Sequence, residues 1–231
     1  MPFLAFALLA GIGFLPRYLV YRNSAYQKET GNGFWTTVLD KGRYGEFLSF
    51  VYLEKLPDHK KILANVYLPK EGKEETTEID LIMIAETGIY VIESKNYSGF
   101  IYGNEKNKYW LQVLGKSQKN RFFNPIWQNK AHISALKNTL PDIQDEAYIS
   151  YIVFSERCTL KDIKFFSSNV EVVPRQLLRK RVAENMKKRP TYFTVEQIDE
   201  IYSVLKRFSR VDAAVKEKHI ADIEKKKAEI R

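Results

Sequence analysis

Ile79-Asp80-Leu81-Ile82-Met83-Ile84-Ala85-Glu86-Thr87-Gly88-Ile89-Tyr90-Val91-Ile92-Glu93-Ser94-Lys95 is the stretch that decides the fold. Its two apolar runs, Ile79–Ala85 and Ile89–Glu93, are joined by Glu86-Thr87-Gly88, and a glycine that takes a left-handed conformation at the end of a tight turn makes them a β-hairpin. Both runs are apolar on both faces, so the hairpin belongs in the middle of its sheet. Side chains alternate across a strand, which puts Glu93 and Lys95 on the face of Ile89 and Val91. If paired residue numbers sum to 173 or 175, Asp80 lies opposite Glu93 or Lys95 on that same face, whereas a sum of 174 puts it opposite Ser94 on the other. A loop centred on Glu86-Thr87, or a bulge at Gly88, favours the odd sums.

Asp80, Glu93 and Lys95 thus gather at one end of two otherwise apolar strands. Neighbouring carboxylates repel unless a cation sits between them, and an all-oxygen donor set suits Mg²⁺ (or Mn²⁺) completed by water and phosphate. A cation there would polarise a phosphoryl oxygen, and Lys95 would stabilise developing negative charge, which is what phosphodiester hydrolysis needs. Solvated strand-end charges, with an ion pair worth ~0–1 kcal/mol, account for the same three residues equally well.

Outward from the hairpin the pattern is α/β with a mixed central sheet flanked by helices. A helix is expected over Gly42–Lys55, where Tyr44, Phe47, Leu48 and Val51 recur at helical spacing before Pro57. A strand follows near Ile62–Leu68 and a polar loop over Lys70–Thr77. Past the hairpin, Gly99–Tyr102 and Tyr109–Leu114 form a second one with Asn104–Lys108 as its turn. Asn124-Pro125 starts a helix running to about Asn138. Tyr148–Phe154 and Val170–Val173 are strands, and after Pro174 the chain is helical to its end, interrupted at Arg189-Pro190.

The 231 residues carry one cysteine, Cys158, which excludes an internal disulfide framework and a cysteine-rich zinc site and fits a reducing compartment. The net charge of +9 is unevenly placed: residues 1–156 carry 18 basic against 17 acidic side chains, residues 157–231 carry 19 against 11. Within the C-terminal part, Arg175, Arg179, Lys180, Arg181, Lys187, Lys188 and Arg189 form a basic stretch suited to a phosphate backbone, to anionic lipid, or to a solvated helix face. At the other end, Pro2 to Pro16 is uncharged. Fifteen residues span roughly 22 Å, and extension to Tyr21 past Arg17 is needed to approach the ~30 Å of a bilayer core. Residues 1–21 are therefore expected to be an apolar membrane-anchor helix, followed by a linker over 22–40. Arg17, Arg22 and Lys28 on its C-terminal flank would leave the rest of the chain on the cytoplasmic side of the inner membrane face, a wholly cytoplasmic location being the alternative.

Five blocks, in order, carry a family resemblance: Gly42-Arg43-Tyr44-Gly45-Glu46, Ile62-Leu63-Ala64-Asn65-Val66-Tyr67-Leu68, Thr77-Glu78-Ile79-Asp80, Val91-Ile92-Glu93-Ser94-Lys95-Asn96-Tyr97-Ser98-Gly99 and Asn124-Pro125-Ile126-Trp127-Gln128-Asn129. Over residues 41–156 the chain resembles the nuclease-related domain (NERD), grouped with the PD-(D/E)XK restriction-endonuclease-like nucleases. The resemblance implies a mixed four- or five-stranded sheet, a divalent metal such as Mg²⁺ (or Mn²⁺), and nucleic acid, DNA ahead of RNA, as the partner cleaved. It makes Asp80 and Glu93 metal ligands and Lys95 the catalytic lysine, with Glu46 completing or orienting the metal site and Gln128 supporting it from the helix after the sheet. Residues 157–231 then form a basic, mainly helical C-terminal extension.

Read from the residues themselves, Glu46 near a helix start is favoured by the helix dipole with or without a metal. His132, four residues after Gln128, shares its helix face and is either a phosphate contact or a packing residue. Trp127, Ile133 and Leu136 are expected in the core; Tyr97, Tyr102 and Trp110 either pack in their strands or stack on bases. A catalytically silent nucleic-acid-binding module and a membrane-associated scaffold with a structural acidic cluster are the rival functions.

Overall fold

The computed structural model describes residues 14–209 except 71, 73, 74 and 116, with scattered positions up to 221. Its centre is the expected hairpin. β2 (Thr76–Ala85) and β3 (Gly88–Lys95) pair antiparallel with residue numbers summing to 173, from Leu81↔Ile92 to Ala85↔Gly88. Gly88 has φ 137°, and a Cβ there would meet the Ala147 carbonyl oxygen at 2.4 Å, so only glycine fits this turn. β1 (Lys60–Pro69) flanks β2, while β7 (Tyr148–Phe154) and β9 (Val170–Pro174) run parallel to β3, giving the order β1-β2-β3-β7-β9. β3 lies in the middle, as its two-faced apolarity requires.

Helices cover both faces of this sheet. α4 (Lys41–Glu54), capped by Asp40 accepting from the Arg43 backbone N–H at 2.8 Å, buries Phe47, Phe50 and Leu53 against Leu81, Met83, Tyr90 and Ile92. α5 (Pro125–Thr139) starts where expected: Asn124 Oδ1 accepts from the Ile126 N–H at 2.9 Å and Pro125 opens the helix. Its Ile133 and Leu136 pack on Ile82, Ile84, Ile89 and Val91, with α7 (Val195–Lys206) beside it on the same face.

Three strands between β3 and α5, with a fourth from after β7, build a second sheet. β4 (Gly99–Asn104) and β5 (Tyr109–Leu114) form the expected hairpin, but β6 (Gln118–Phe123) and β8 (Cys158–Lys164) extend it to four strands in the order β6-β5-β4-β8. Both added strands are polar and largely exposed, so neither carries the apolar alternation by which strands are recognised in sequence.

Two expectations need correction, and a third falls mostly outside the described residues. The region read as a linker, 22–40, contains α2 (Tyr26–Thr30) and α3 (Phe34–Leu39), helices too short to show a period; Tyr26 is buried against the Phe47 and Phe50 rings. Of the expected anchor, residues 1–13 lie outside the described residues, while 14–22 form a helix (α1) whose Tyr21 is buried beside Phe34 and Phe47. Tyr21 is the one buried residue of this helix, Leu15, Tyr18, Leu19 and Val20 being exposed, and no described helix is long and apolar enough to cross a membrane. The C-terminal part is not an appended extension: β8 and β9 complete the two sheets, α6 (Leu178–Met186) buries Leu178 and Val182 on the α4 side, and α7 packs on β1. Its break at Arg189-Pro190 is present between α6 and α7; the Lys225–Lys227 run lies outside the described residues.

Candidate active site

The β2–β3 ladder brings Asp80 and Glu93 to neighbouring positions, and the Ser94 backbone N–H donates to Asp80 Oδ2 at 2.7 Å. Glu93, only 2% exposed, forms the floor. Its Oε1 meets Lys95 Nζ at 2.6 Å and its Oε2 meets His132 Nε2 at 3.1 Å. Lys95 Nζ also donates to Gln128 Oε1 at 2.9 Å, so the first turns of α5 hold both partners of Glu93 in place. Thr77 Oγ1 lies 2.8 Å from His132 Nδ1 and fixes that ring from behind. His132 is buried; it positions Glu93 rather than meeting substrate.

On the other side, Asn65 Nδ2 donates to Glu46 Oε2 at 3.1 Å and to Glu78 Oε1 at 3.4 Å, and Tyr67 Oη donates to Glu78 Oε1 at 2.6 Å. Asn65 has φ 52°, a left-handed conformation inside a strand. Around it the pleat changes phase. Ala64 belongs to the core cluster under α4 and Val66 to the one under α5; across the ladder, Leu81 and Ile79 are divided in the same way. Residues two apart normally share a face, so the irregularity at Asn65 and Asp80 re-aims the strands at the site. Asp80 thereby lies within electrostatic reach of Glu93 and Lys95 on β3 and of Glu46 on α4. Asn65 stood in the sequence only as part of a matching block; an asparagine within an apolar strand was the available signal.

Electrostatics follow the geometry. Burial first, then Glu93 and Glu46, push the Asp80 carboxyl well above the ordinary range. Burial likewise raises Glu46 to about 7, with Glu78, Glu93 and Asp40 adding to it against the Asn65 hydrogen bond. For Glu93 burial acts upward too, but Lys95 and His132 outweigh it and hold the carboxylate at about 2. Burial of Lys95 acts downward and is overcome chiefly by Glu93, leaving its ammonium raised above the usual value. The floor is therefore an ionised, compensated pair, while burial and like charge favour the protonated form of Asp80 and Glu46, which among the described residues have no salt-bridge partner to offset a negative charge.

A hard divalent cation would take the place of the proton that burial and mutual repulsion keep on Asp80, and an all-oxygen set of this kind is chemically suited to one. Among the described residues no three His, Cys, Asp or Glu side chains converge to hold a metal. The fit is to an ion with two protein carboxylates, Asp80 and Glu93, completed by waters and phosphate oxygens, with Glu46 behind them.

The basic stretch is dispersed. Arg175, 1% exposed, is buried under α4, donating from Nε to Ser49 Oγ at 3.2 Å and pairing Nη1 with Glu156 at 3.1 Å, so it cannot track a phosphate backbone. Arg181 pairs with Glu171 and Glu184, Lys180 with Glu184, and Arg189 donates to the Thr87 and Glu146 carbonyls. Arg179, Lys187 and Lys188 are exposed. Trp110 and Tyr97, considered for base stacking, lie in the third core cluster instead, whereas Tyr102 is exposed, and so is Trp127, expected in the core.

Residues 41–155 match the family described as the nuclease-related domain. An uncharacterised protein of Bacillus anthracis is 35% identical over 181 residues, covering 78% of this chain and 82% of that protein. The chain belongs to the nuclease-related domain family. That family falls within the PD-(D/E)XK-like nuclease superfamily, and the match takes in every residue of the Asp80–Glu93–Lys95 centre together with Glu46 and Gln128. No solved structure matches the chain.

The raised Glu46 carboxyl has a consequence for stability. Its folded value lies above the unfolded one, so its contribution is present below about pH 4.5 and is lost as pH rises through about 7. With chelator present, Glu46→Gln, which keeps an acceptor for Asn65, should stabilise the protein by about 1–2 kcal/mol at pH 8 and by much less at pH 5. Urea unfolding at the two pH values checks this; an equal effect at both would contradict it.

Proposed function

We propose that the chain is a divalent-metal-dependent phosphodiesterase acting on nucleic acid, with its centre at Asp80, Glu93 and Lys95. The observation that carries this is the placement of Lys95 Nζ, 2.6 Å from Glu93 and 2.9 Å from Gln128, directly beside a carboxyl pair that repels itself. Family membership supports a nuclease-like function.

Asp80 and Glu93 would hold Mg²⁺ or Mn²⁺, and such an ion supplies Lewis acidity toward a phosphodiester. Lys95 stays an ammonium at neutral pH because Glu93 raises its pKa. It therefore serves as a fixed cation that stabilises charge growing on the phosphoryl oxygens, and not as a base. Gln128 orients it, and His132, backed by Thr77, keeps Glu93 from turning away. Glu46, joined to β1 through Asn65, borders the site from α4 and is suited to orient water.

Full-length protein incubated with single- and double-stranded DNA and RNA tests this. Cleavage should require Mg²⁺ or Mn²⁺ and stop with chelator. Asp80→Asn and Lys95→Ala should each lower the rate by about 10²–10³-fold, and Gln128→Ala by about tenfold, since Lys95 keeps Glu93. Activity that persists in the Asp80→Asn, Lys95→Ala double variant would come from a contaminant and would count against the assignment, as would a folded wild-type protein that binds nucleic acid without cutting it.

We also propose that the uncharged run Pro2–Pro16 holds the chain at a membrane, with the basic flank of Arg17, Arg22 and Lys28 keeping the domain on the cytoplasmic side. Full-length protein should remain in the membrane pellet after an alkaline carbonate wash and lose that retention when residues 2–16 are deleted; recovery in the supernatant would contradict the tether.

A further inference from the structure

The second sheet has two unlike faces. Ile101, Trp110 and Phe122 point inward and pack with Ile152 and Phe154. Their neighbours point outward: the pairs Phe100↔Val113 and Tyr102↔Leu111, with Leu111↔Arg121 and Val113↔Lys119 on the next strand, set aromatic and basic side chains on one face. Phe123 joins them opposite Tyr109, their ring centroids 6.4 Å apart, and Trp127 from the start of α5 closes on Phe123 at 6.2 Å. Phe100, Tyr102, Phe123 and Trp127 are 37 to 40% exposed. Aromatic rings in such numbers on an open sheet face, with no described element covering them, mark a binding surface.

Its charge says what binds. Lys106, Lys108, Lys119 and Arg121 line, with Tyr109 and Trp127, an open recess of about 980 Å³ that has no acidic lining residue among the described residues. Among the described residues none of these four cations is in a salt bridge. The adjacent Glu105 is turned away to the Ser167 hydroxyl and backbone N–H. Lys161 lies over the Phe100 ring at 5.1 Å. In the C-terminal helical part, by contrast, Lys180, Arg181 and Arg189 are already engaged. Rings that stack on bases, interleaved with cations that meet phosphates, match a single strand whose bases are unstacked; a duplex hides those base faces. Along the chain the face is tied closely to the centre: Trp127 and Gln128 are consecutive on α5, and Lys95 precedes β4 by four residues.

We propose that the outer face of β4, β5 and β6 is a docking platform for single-stranded nucleic acid, with bases on Tyr102 and Phe123, phosphates on Lys119 and Arg121, and the strand running past Trp127 to Lys95. It rests on the phosphodiesterase reading above for its ligand class.

Fluorescence anisotropy of a labelled oligothymidylate of about 15 nucleotides with full-length protein in chelator tests the platform without cleavage. Wild type should bind the single strand more tightly than a duplex of equal length. Tyr102→Ala with Phe123→Ala, and separately Lys119→Glu with Arg121→Glu, should each weaken binding about tenfold or more. The charge reversal should also flatten the dependence on salt between about 50 and 200 mM. Circular dichroism confirms that these surface variants fold. Unchanged affinity in both double variants, or duplex bound as well as single strand, would overturn the platform even if Lys95-dependent cleavage is observed. Weakened binding in the variants, with no cleavage by wild type in any metal, would support the platform and refute the phosphodiesterase instead. Binding only to vesicles of phosphatidylglycerol and phosphatidylcholine would overturn it in favour of lipid.

Discussion

A carboxylate buried as deeply as Glu93 persists as an anion only if the chain supplies cationic or hydrogen-bonding partners at contact distance. Lys95, two residues along the same strand, meets one oxygen, and His132 on α5 meets the other. Much of the architecture follows from holding these partners in register. β3 must lie between β2 and β7 so that its end is enclosed, α5 must start at Asn124 so that Gln128 and His132 project over that end, and the second sheet must leave β3 immediately after Lys95. The attraction is local, but each partner arrives from a different element, so the pair couples hairpin, helix and sheet order.

The remaining carboxyls are left without a salt-bridge partner among the described residues. Asp80 and Glu46 feel each other and Glu93, and the raised carboxyls represent stability forgone in the metal-free state. A fold seeking stability alone would place an apolar side chain at Asp80, between Ile79 and Leu81. The left-handed Asn65 and the phase change of the pleat serve the same end, because a regular ladder would keep the α4 side, with Glu46, apart from the α5 side, with Lys95 and Gln128.

The hairpin, its register, the central position of β3 and the capped start of α5 were legible in the sequence because each depends on short-range chemistry: an apolar run, a glycine turn, an asparagine before a proline. So was the gathering of Asp80, Glu93 and Lys95. The phase change at Asn65 was not legible, since alternation assumes an unbroken pleat. β6 and β8 escaped notice because strands exposed on one face and rich in lysine carry no apolar signature. Arg175 shows the limit of counting charge: it reads as one of seven basic residues in a run, yet its guanidinium is packed between Ser49 and Glu156. The net charge of +9 pointed to the C-terminal part, where much of it is paired, while Lys119 and Arg121, in no salt bridge among the described residues, lie on the second sheet, in a region close to neutral overall.

The central claim is that Asp80 and Glu93 form a divalent-cation site. Its most direct test is titration of Mn²⁺ into the full-length protein, followed by electron paramagnetic resonance of the free ion, for wild type, Asp80→Asn and Glu93→Gln. Wild type should bind about one ion per chain, competed by Mg²⁺ and lost in both variants. Equal Mn²⁺ binding by all three proteins, or none by a folded wild type, would contradict it.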